Sequence, residues 1–457
     1  MAKARNEELF KRLRSEYKVF NYESYSLKIT DSEIIIDFSF NLDGRHHFNP
    51  IARIKAGNLV KNLAEKAEKI RPLLENITFQ IGMIELISYW KAACPPVINI
   101  KPGSITPEQA QWWKKIYFNG LGEFFYLNSI QAEEISFVEL TSPDRNHFLK
   151  QKIETNNKFL VPIGGGKDSA VTLSLLKEAN KTLMPLIMNP RGATIETIKA
   201  AGLTMDDVLV IERNIDPKLL ELNKQGFLNG HTPFSAMLAF YTLLSSAVSG
   251  YSNIALSNES SANESTIPGT NINHQYSKSL GFEQDFRHYV SRFIGDGFNY
   301  FSLLRPLSEI QIARIFSSLT HYHKVFRSCN AGSKTDEWCG KCPKCLFTHI
   351  MLSAFNGIED ANRIIGHAML DDQSLQSVFD ELAGYSAIKP FECVGTTLEV
   401  KQALQMISAR SNGQDPILLR RFAEKSPEKI NPPDFGYFEE THFVPEGLLN
   451  ILKQKLQ

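Results

Sequence analysis

The segment Asn157–Glu178 reads NKFLVPIGGGKDSAVTLSLLKE: a short apolar run, three successive glycines, then Lys167, Asp168 and Ser169 at the head of a helical pattern. Few arrangements tolerate that order. In a sheet of parallel strands, ligands lie beyond the carboxyl ends of the strands, where the next helix directs its N-terminus. Backbone N–H groups are unpaired there, and the helix dipole adds a partial positive charge. Glycines admit φ > 0 and let bare backbone approach phosphate oxygens. Gly164, Gly165 and Gly166 are therefore expected to cradle phosphates, with Lys167 and Ser169 as further donors. Asp168 fits such a cradle only if a divalent cation bridges it to the phosphates. A glycine turn that merely packs strand on helix is the simpler alternative. The spacing is not that of the kinase and GTPase phosphate loop, which needs four residues between its glycines.

The rest of the second half repeats the strand–helix rhythm. FLVPI, TLMPLIMN, DVLVIE and NIALSN are short apolar runs between helical segments, which predicts an α/β domain with a parallel sheet and right-handed crossovers. The first part differs. SYSLKITDSEIIIDFSFNL and RHHFNPIARIKA read as strands, and ITPEQAQWWKKIYFNGLGEFFYL as an aromatic helical stretch. The expected organisation is an N-terminal α+β module over 1–150, an α/β domain over 151–356 and a helical C-terminal region over 357–457. Polar residues from Ser142 to Asn157 read as a linker, and 457 residues suffice for two or three domains. Aromatics of the module suit a substrate-binding surface, or simply a core.

A formal net charge of zero provides no global field for recruiting nucleic acid. The charged N-terminus, MAKARNEELFKRLRSEYKVF, is not a secretory signal. Thr232–Ser252 carries no charge and is long enough to span a bilayer, but its hydroxyls and its position between α/β segments favour a helix buried on the sheet. A cytoplasmic protein without membrane insertion is expected; the oligomeric state stays open.

Four of the six cysteines crowd together as C-x9-C-x2-C-x2-C: Cys329, Cys339, Cys342 and Cys345. Overlapping C-x-x-C turns can aim thiolates at one centre, and a fourth cysteine closes a tetrahedral Zn2+ site with no open position, hence structural. Redox chemistry of a C-x-x-C pair and an iron–sulfur cluster are the alternatives.

The glycine loop resembles the Ser-Gly-Gly-x-Asp-Ser loop of the N-type ATP pyrophosphatases, with Gly164 in place of the first serine, which removes one hydroxyl donor. That resemblance implies the PP-loop, HUP-like fold, with ATP as co-substrate cleaved to AMP and pyrophosphate in the presence of Mg2+. It also places Asn189, in IMNPRG, where this fold holds adenine and ribose, and Arg305, in SLLRPLSEIQIARI, against phosphate. The cysteine cluster is similar to the zinc site of deazaguanine nitrile synthases. Further along, IGMIELISYWKAACPP, NGLGEFFY, LNGHTPFSA, LSNESSANE, NHQYSKSLGFEQDF, WCGKCPKC and KPFECVG together resemble the MurL family, in the same order. The resemblance implies an ATP-dependent epimerase of peptidoglycan precursor synthesis. Its partner would be a UDP-linked muramoyl dipeptide, whose terminal L-glutamate becomes D-glutamate by way of an acyl-adenylate.

Adenylation is chemically sensible for such a reaction. It neutralises the carboxylate, so that an ordinary side-chain base can remove the α-proton. Catalytic candidates are Lys167 and Asp168 at the loop, with Glu259, Cys94, Cys393, His231 and His274 for metal, substrate or proton; the simpler readings are a surface loop carboxylate for Glu259, buried core thiols for the cysteines, which are the commoner case, and core or capping histidines. Two other readings remain: an adenylating enzyme acting on a nucleobase or tRNA, and a non-catalytic ATP-binding regulator.

Overall fold

In the computed structural model, which describes residues 2–267, 269–270, 272–410, 413–426 and 428–457, the chain opens with a helix and a run of strands. These strands are β1 (Val19–Ile29), β2 (Glu33–Leu42), β3 (His46–Phe48) and β4 (Ile51–Lys55). Alternation along β2 buries Ile34, Ile36, Phe38 and Phe40 on one face. The helix Arg71–Glu85 follows, then β5 (Val97–Ile100), the helix Pro107–Gly120, β6 (Glu139–Thr141) and β7 (Gln151–Lys152). The four apolar runs of the second half all form strands: β8 (Lys158–Pro162), β9 (Thr182–Met188), β10 (Leu209–Arg213) and β11 (Asn253–Leu256). β12 (Gly295–Asp296) pairs with β7 apart from the main sheet, and β13 is Asn299–Ser302.

The main sheet runs β13–β11–β8–β9–β10–β4–β2–β1–β5–β6, with β3 beside β2. Its first five members are all parallel, as the strand–helix rhythm requires. β8 lies in the middle of this set. The chain adds β9 and β10 on one side, then returns to add β11 and β13 on the other. The direction of winding therefore reverses between β8 and β11, and a doubly wound sheet opens a crevice there. The glycine loop leaves β8 into that crevice.

The expected boundary at residue 150 is not a boundary of the sheet. β4 pairs antiparallel with β10, Ile54 opposite Ile211, so the N-terminal strands continue the sheet without a break. An unpaired edge of β10 would expose a row of backbone groups, and β4 satisfies them. One hydrophobic core accordingly extends from Leu13 to Tyr300, across the N-terminal strands and the helix Phe234–Ser249. A second core, on the opposite face, takes Phe159, Val161 and Ile163 together with the C-terminal helices. It already includes the helix Pro343–Asn356, so the expected division at 356 falls inside it. The charge-free run Thr232–Ser252 forms the buried helix Phe234–Ser249, closed by Gly250 at φ 74°. Among the described residues no helix is long and apolar enough to cross a membrane.

Candidate functional site

The helix Lys167–Glu178 begins directly after the glycines, with Gly166 as its N-cap. Gly165 has φ +79°, and a Cβ there would lie 3.0 Å from backbone atoms of Ala193 and Thr194, so only glycine fits. A Cβ on Gly164 would meet nothing within 4 Å. Its bare backbone faces the open cleft. The first turn of the helix therefore presents unpaired N–H groups to a cavity of ≈ 270 Å³ that Gly164, Gly166, Asp168 and Ser169 help to line. Apolar walls come from Ile163, Leu186, Met188, Phe234 and Leu238, and the ends of both sheet halves meet around it.

Beneath the cleft lies a small charged chamber that shares Asp168, Lys278, Ser328 and Lys344 with it and adds Lys167, Glu259, Glu309 and Cys393. Lys167, expected to reach phosphate, is buried and ion-paired to the carboxylates of Asp168 and Glu309. Burial alone would lower its pKa, but these two anions raise it. Burial, outweighing Lys167, pushes Glu309 up to about 8. Glu259 is raised too, by burial and then by the charge of Asp168. Two carboxylates that repel one another through a shared cavity are a donor set suited to a hard divalent cation. Asp168 and Glu259 thus fit Mg2+.

Cys393 accepts a hydrogen bond from Lys278 Nζ at 3.1 Å. Close to this sulfur lies His274, whose Nδ1 stands 2.5 Å from Glu123 Oε2. Burial would raise this thiol, yet Lys278, Lys344 and His274 hold it well below the ordinary range. His274 is pushed up to about 9, the neighbouring Cys393 and Glu123 outweighing burial. His231 lies beside it, ring centroids 4.6 Å apart, and burial followed by the His274 charge pushes it down to about 4.

Three sequence candidates are placed elsewhere. Cys94 is fully buried, its thiol 3.5 Å from the Lys91 carbonyl and pushed up by burial; it lines neither cleft nor chamber and is not an opposed partner for Cys393. Asn189 pins strand ends, its side chain accepting from Arg213 N at 2.7 Å and donating to Arg213 O at 3.0 Å. Arg305, expected at phosphate, is wholly buried and donates to the carbonyls of Glu259 and Lys278 and to the Glu283 carboxylate. It holds two chamber residues in place from below. Conversely, Glu123, Lys278, Glu309 and Lys344 were not singled out by residue type. Each lies within a segment quoted above, but an isolated Lys or Glu carries no signal until folding gives it neighbours.

The four clustered cysteines converge. Their sulfurs stand 3.4, 3.7 and 3.8 Å apart in the pairs Cys342–Cys345, Cys339–Cys345 and Cys329–Cys342. A tetrahedron with Zn–S near ~2.3 Å has edges of about 3.8 Å. The set can hold a metal ion. Its loop also forms a wall of the cleft: Arg327 N donates to Gly165 O at 2.8 Å, and the Asp336 carboxylate caps the helix Gly192–Ala200 through Gly192 N and Ala193 N at 2.8 and 2.9 Å.

Comparison with known proteins places the chain in a family. The family model of the MurL N-terminal domain matches residues 11–303, and that of the MurL C-terminal domain matches residues 325–434. The chain is similar to the UDP-N-acetyl-alpha-D-muramoyl-L-alanyl-L-glutamate epimerase of Xanthomonas oryzae pv. oryzae, 35% identical over 383 residues covering 80% of this chain and 83% of that protein. Proteins of the same name from Salinispora tropica and a Micromonospora species are 31% and 30% identical over 422 and 419 residues, 90% of this chain in each case and 89% and 91% of theirs. Both halves of the family pattern are present, in order and over most of the length, and the chain belongs to the MurL family.

Proposed function

We propose that this protein converts the terminal L-glutamate of UDP-N-acetylmuramoyl-L-alanyl-L-glutamate to D-glutamate, consuming ATP and releasing AMP and pyrophosphate. The observation that carries the reading is the continuity of the glycine-loop cleft with the charged chamber, through Asp168, Lys278, Ser328 and Lys344. Nucleotide and acyl group can meet there. The names of the three relatives supply the substrate. The loop and the doubly wound strand order support a PP-loop domain, and the setting of peptidoglycan precursor synthesis supports a cytoplasmic enzyme.

The glycine loop and the first turn of the helix Lys167–Glu178 bind the triphosphate through backbone N–H groups. Asp168 and Glu259 would hold Mg2+, which neutralises phosphate charge when bound. Lys167, clamped by Asp168 and Glu309, fixes the Asp168 carboxylate toward the cleft. The substrate carboxylate attacks the α-phosphorus, pyrophosphate leaves, and the acyl-adenylate forms. With its charge gone, the glutamyl Cα loses its proton to a chamber group and regains one on the opposite face. Glu259 and Cys393 line the chamber and are the first acid/base candidates, with His274 and His231 behind Cys393; Cys94 is remote from both cavities. The four cysteines hold Zn2+ as a brace of the cleft wall.

The test is to incubate the protein with ATP, Mg2+ and the muropeptide nucleotide in D2O. Expected are AMP and pyrophosphate rather than ADP and phosphate, D-glutamate in the product, and deuterium at its Cα only when ATP is present. Formation of ADP, or epimerisation without solvent hydrogen, would overturn the reading. A tRNA or a deazaguanine acid in place of the muropeptide should elicit no AMP.

A further inference from the structure

Beside the nucleotide cleft, three side chains stand in the order nucleophile, base, orienter. Cys393, half-buried and open to the chamber, has His274 as a neighbour; the His274 ring is held in turn by Glu123 at 2.5 Å. Lys278 adds a cation 3.1 Å from the sulfur. A cysteine within reach of an imidazole that a carboxylate orients is the arrangement by which proteins prepare a sulfur nucleophile. The same sulfur shares its chamber with Lys167, Asp168 and Glu259, where the activated acyl group is made.

We propose that Cys393 is a covalent acyl carrier: its sulfur takes the glutamyl acyl group from the acyl-adenylate, and the α-hydrogen is exchanged on the resulting thioester. The proposal rests on the adenylation reading above. In the transfer, the sulfur lone pair forms a C–S bond as the bond from the acyl carbon to the AMP oxygen breaks; AMP leaves carrying the negative charge. Sulfur donates less electron density to a carbonyl than oxygen does, so a thioester releases its α-proton more readily than a carboxylate or an ester. The tether also holds the glutamyl residue where the cleft meets the chamber while AMP departs. On the thioester, Glu259 takes the α-proton from one face and later releases it to solvent; acylation has removed the thiolate charge beside His274, so the ring gives its proton to Cα on the other face. In the last step water attacks the thioester carbonyl. One of its protons passes to His274 and one to solvent, the C–S bond breaks, and thiolate and carboxylate product are restored.

The experiment is rapid quenching of the full-length protein with ATP, Mg2+ and muropeptide nucleotide carrying radiolabelled glutamate. Expected is acid-stable label on the protein, approaching one equivalent, released by neutral hydroxylamine and mapped by peptide mass to Cys393. Cys393→Ala should carry no label and epimerise at least about 1000-fold more slowly. Muropeptide-dependent exchange of pyrophosphate into ATP, followed in the wild-type protein, reports adenylation by itself. Exchange without any protein label, or epimerisation by Cys393→Ala within tenfold of wild type, overturns the thioester while leaving adenylation standing. Absence of exchange overturns adenylation and the thioester together.

Discussion

Lys278 and Cys393 meet at 3.1 Å, although they are 115 positions apart in the chain. The contact ties the loop before the helix Leu280–Tyr289 to a turn of the C-terminal region, and it places a cation beside the sulfur. Removing the Lys278 cation should therefore raise the thiol pKa, even though Lys344 and His274 remain. Alkylation by iodoacetamide, measured against pH, should persist to low pH in the wild type and shift to higher pH in Lys278→Met. Identical profiles would show that Lys278 does not govern Cys393.

Gly164 and Gly165 are adjacent but have different tasks. Gly165→Ala forces a positive-φ alanine against the Ala193–Thr194 backbone and should cost roughly 1–3 kcal/mol of stability, read from denaturant unfolding. Gly164→Ala meets no protein atom and should leave stability within about 0.5 kcal/mol. Its added methyl faces the phosphate cradle, so ATP affinity should fall instead. Equal stability loss in both variants would contradict the assignment of Gly164 to the cleft.

Asp168→Asn removes the charge facing Glu259 and Lys167 while keeping the shape. AMP formation should drop by at least roughly 100-fold, with little change in melting temperature because Glu309 still pairs with Lys167. Arg305→Met is the opposite case. It strands the buried Glu283 carboxylate, so a stability loss of roughly 3–5 kcal/mol is expected. Retained activity in the first variant, or retained stability in the second, would reverse those roles.

Metal removal should act on the nucleotide as well as on the fold. The cysteine loop holds Gly165 through Arg327 and caps the helix Gly192–Ala200 through Asp336. Elemental analysis should find one zinc per chain, and chelation should lower both melting temperature and ATP affinity, since metal binding is coupled to folding. By reciprocity, ATP should slow zinc release to a chromogenic chelator. Iron, no metal, or a release rate indifferent to ATP would count against this.

His231 predicts a pH dependence of stability. Its pKa in the fold is about 4, pushed down by burial and then by His274, whereas an unfolded histidine titrates near ~6.5. Between these values the unfolded chain binds the extra proton, so stability is full above ~6.5 and falls as the pH drops through the window. The loss attributable to His231 is on the order of 1–3 kcal/mol. Urea unfolding at pH 7 and pH 4.5 should show a steeper loss in the wild type than in His231→Gln; equal slopes would assign the effect elsewhere.

Chain order alone determined what depends on near neighbours. A strand, three glycines and a helix are contiguous, so the glycine loop at the strand end and its left-handed Gly165 follow from Leu160 to Ser169. Four cysteines within one short segment can reach a common centre whatever surrounds them. The parallel strands β8 to β11 were legible because a strand buried on both faces must be apolar throughout. What joins distant segments was decided by tertiary structure. Only packing against β10 showed that the first strands extend the same sheet rather than form a module of their own. Cys94 and Cys393 are equivalent as residues, and folding sends one into the core beside Lys91 and the other to Lys278, His274 and the chamber. Arg305 has the charge for phosphate but is fully enclosed by carbonyls and Glu283. A side chain's chemistry is set by the charges and solvent within a few ångströms of it, and for groups more than a hundred residues apart those neighbours exist only once the chain has folded.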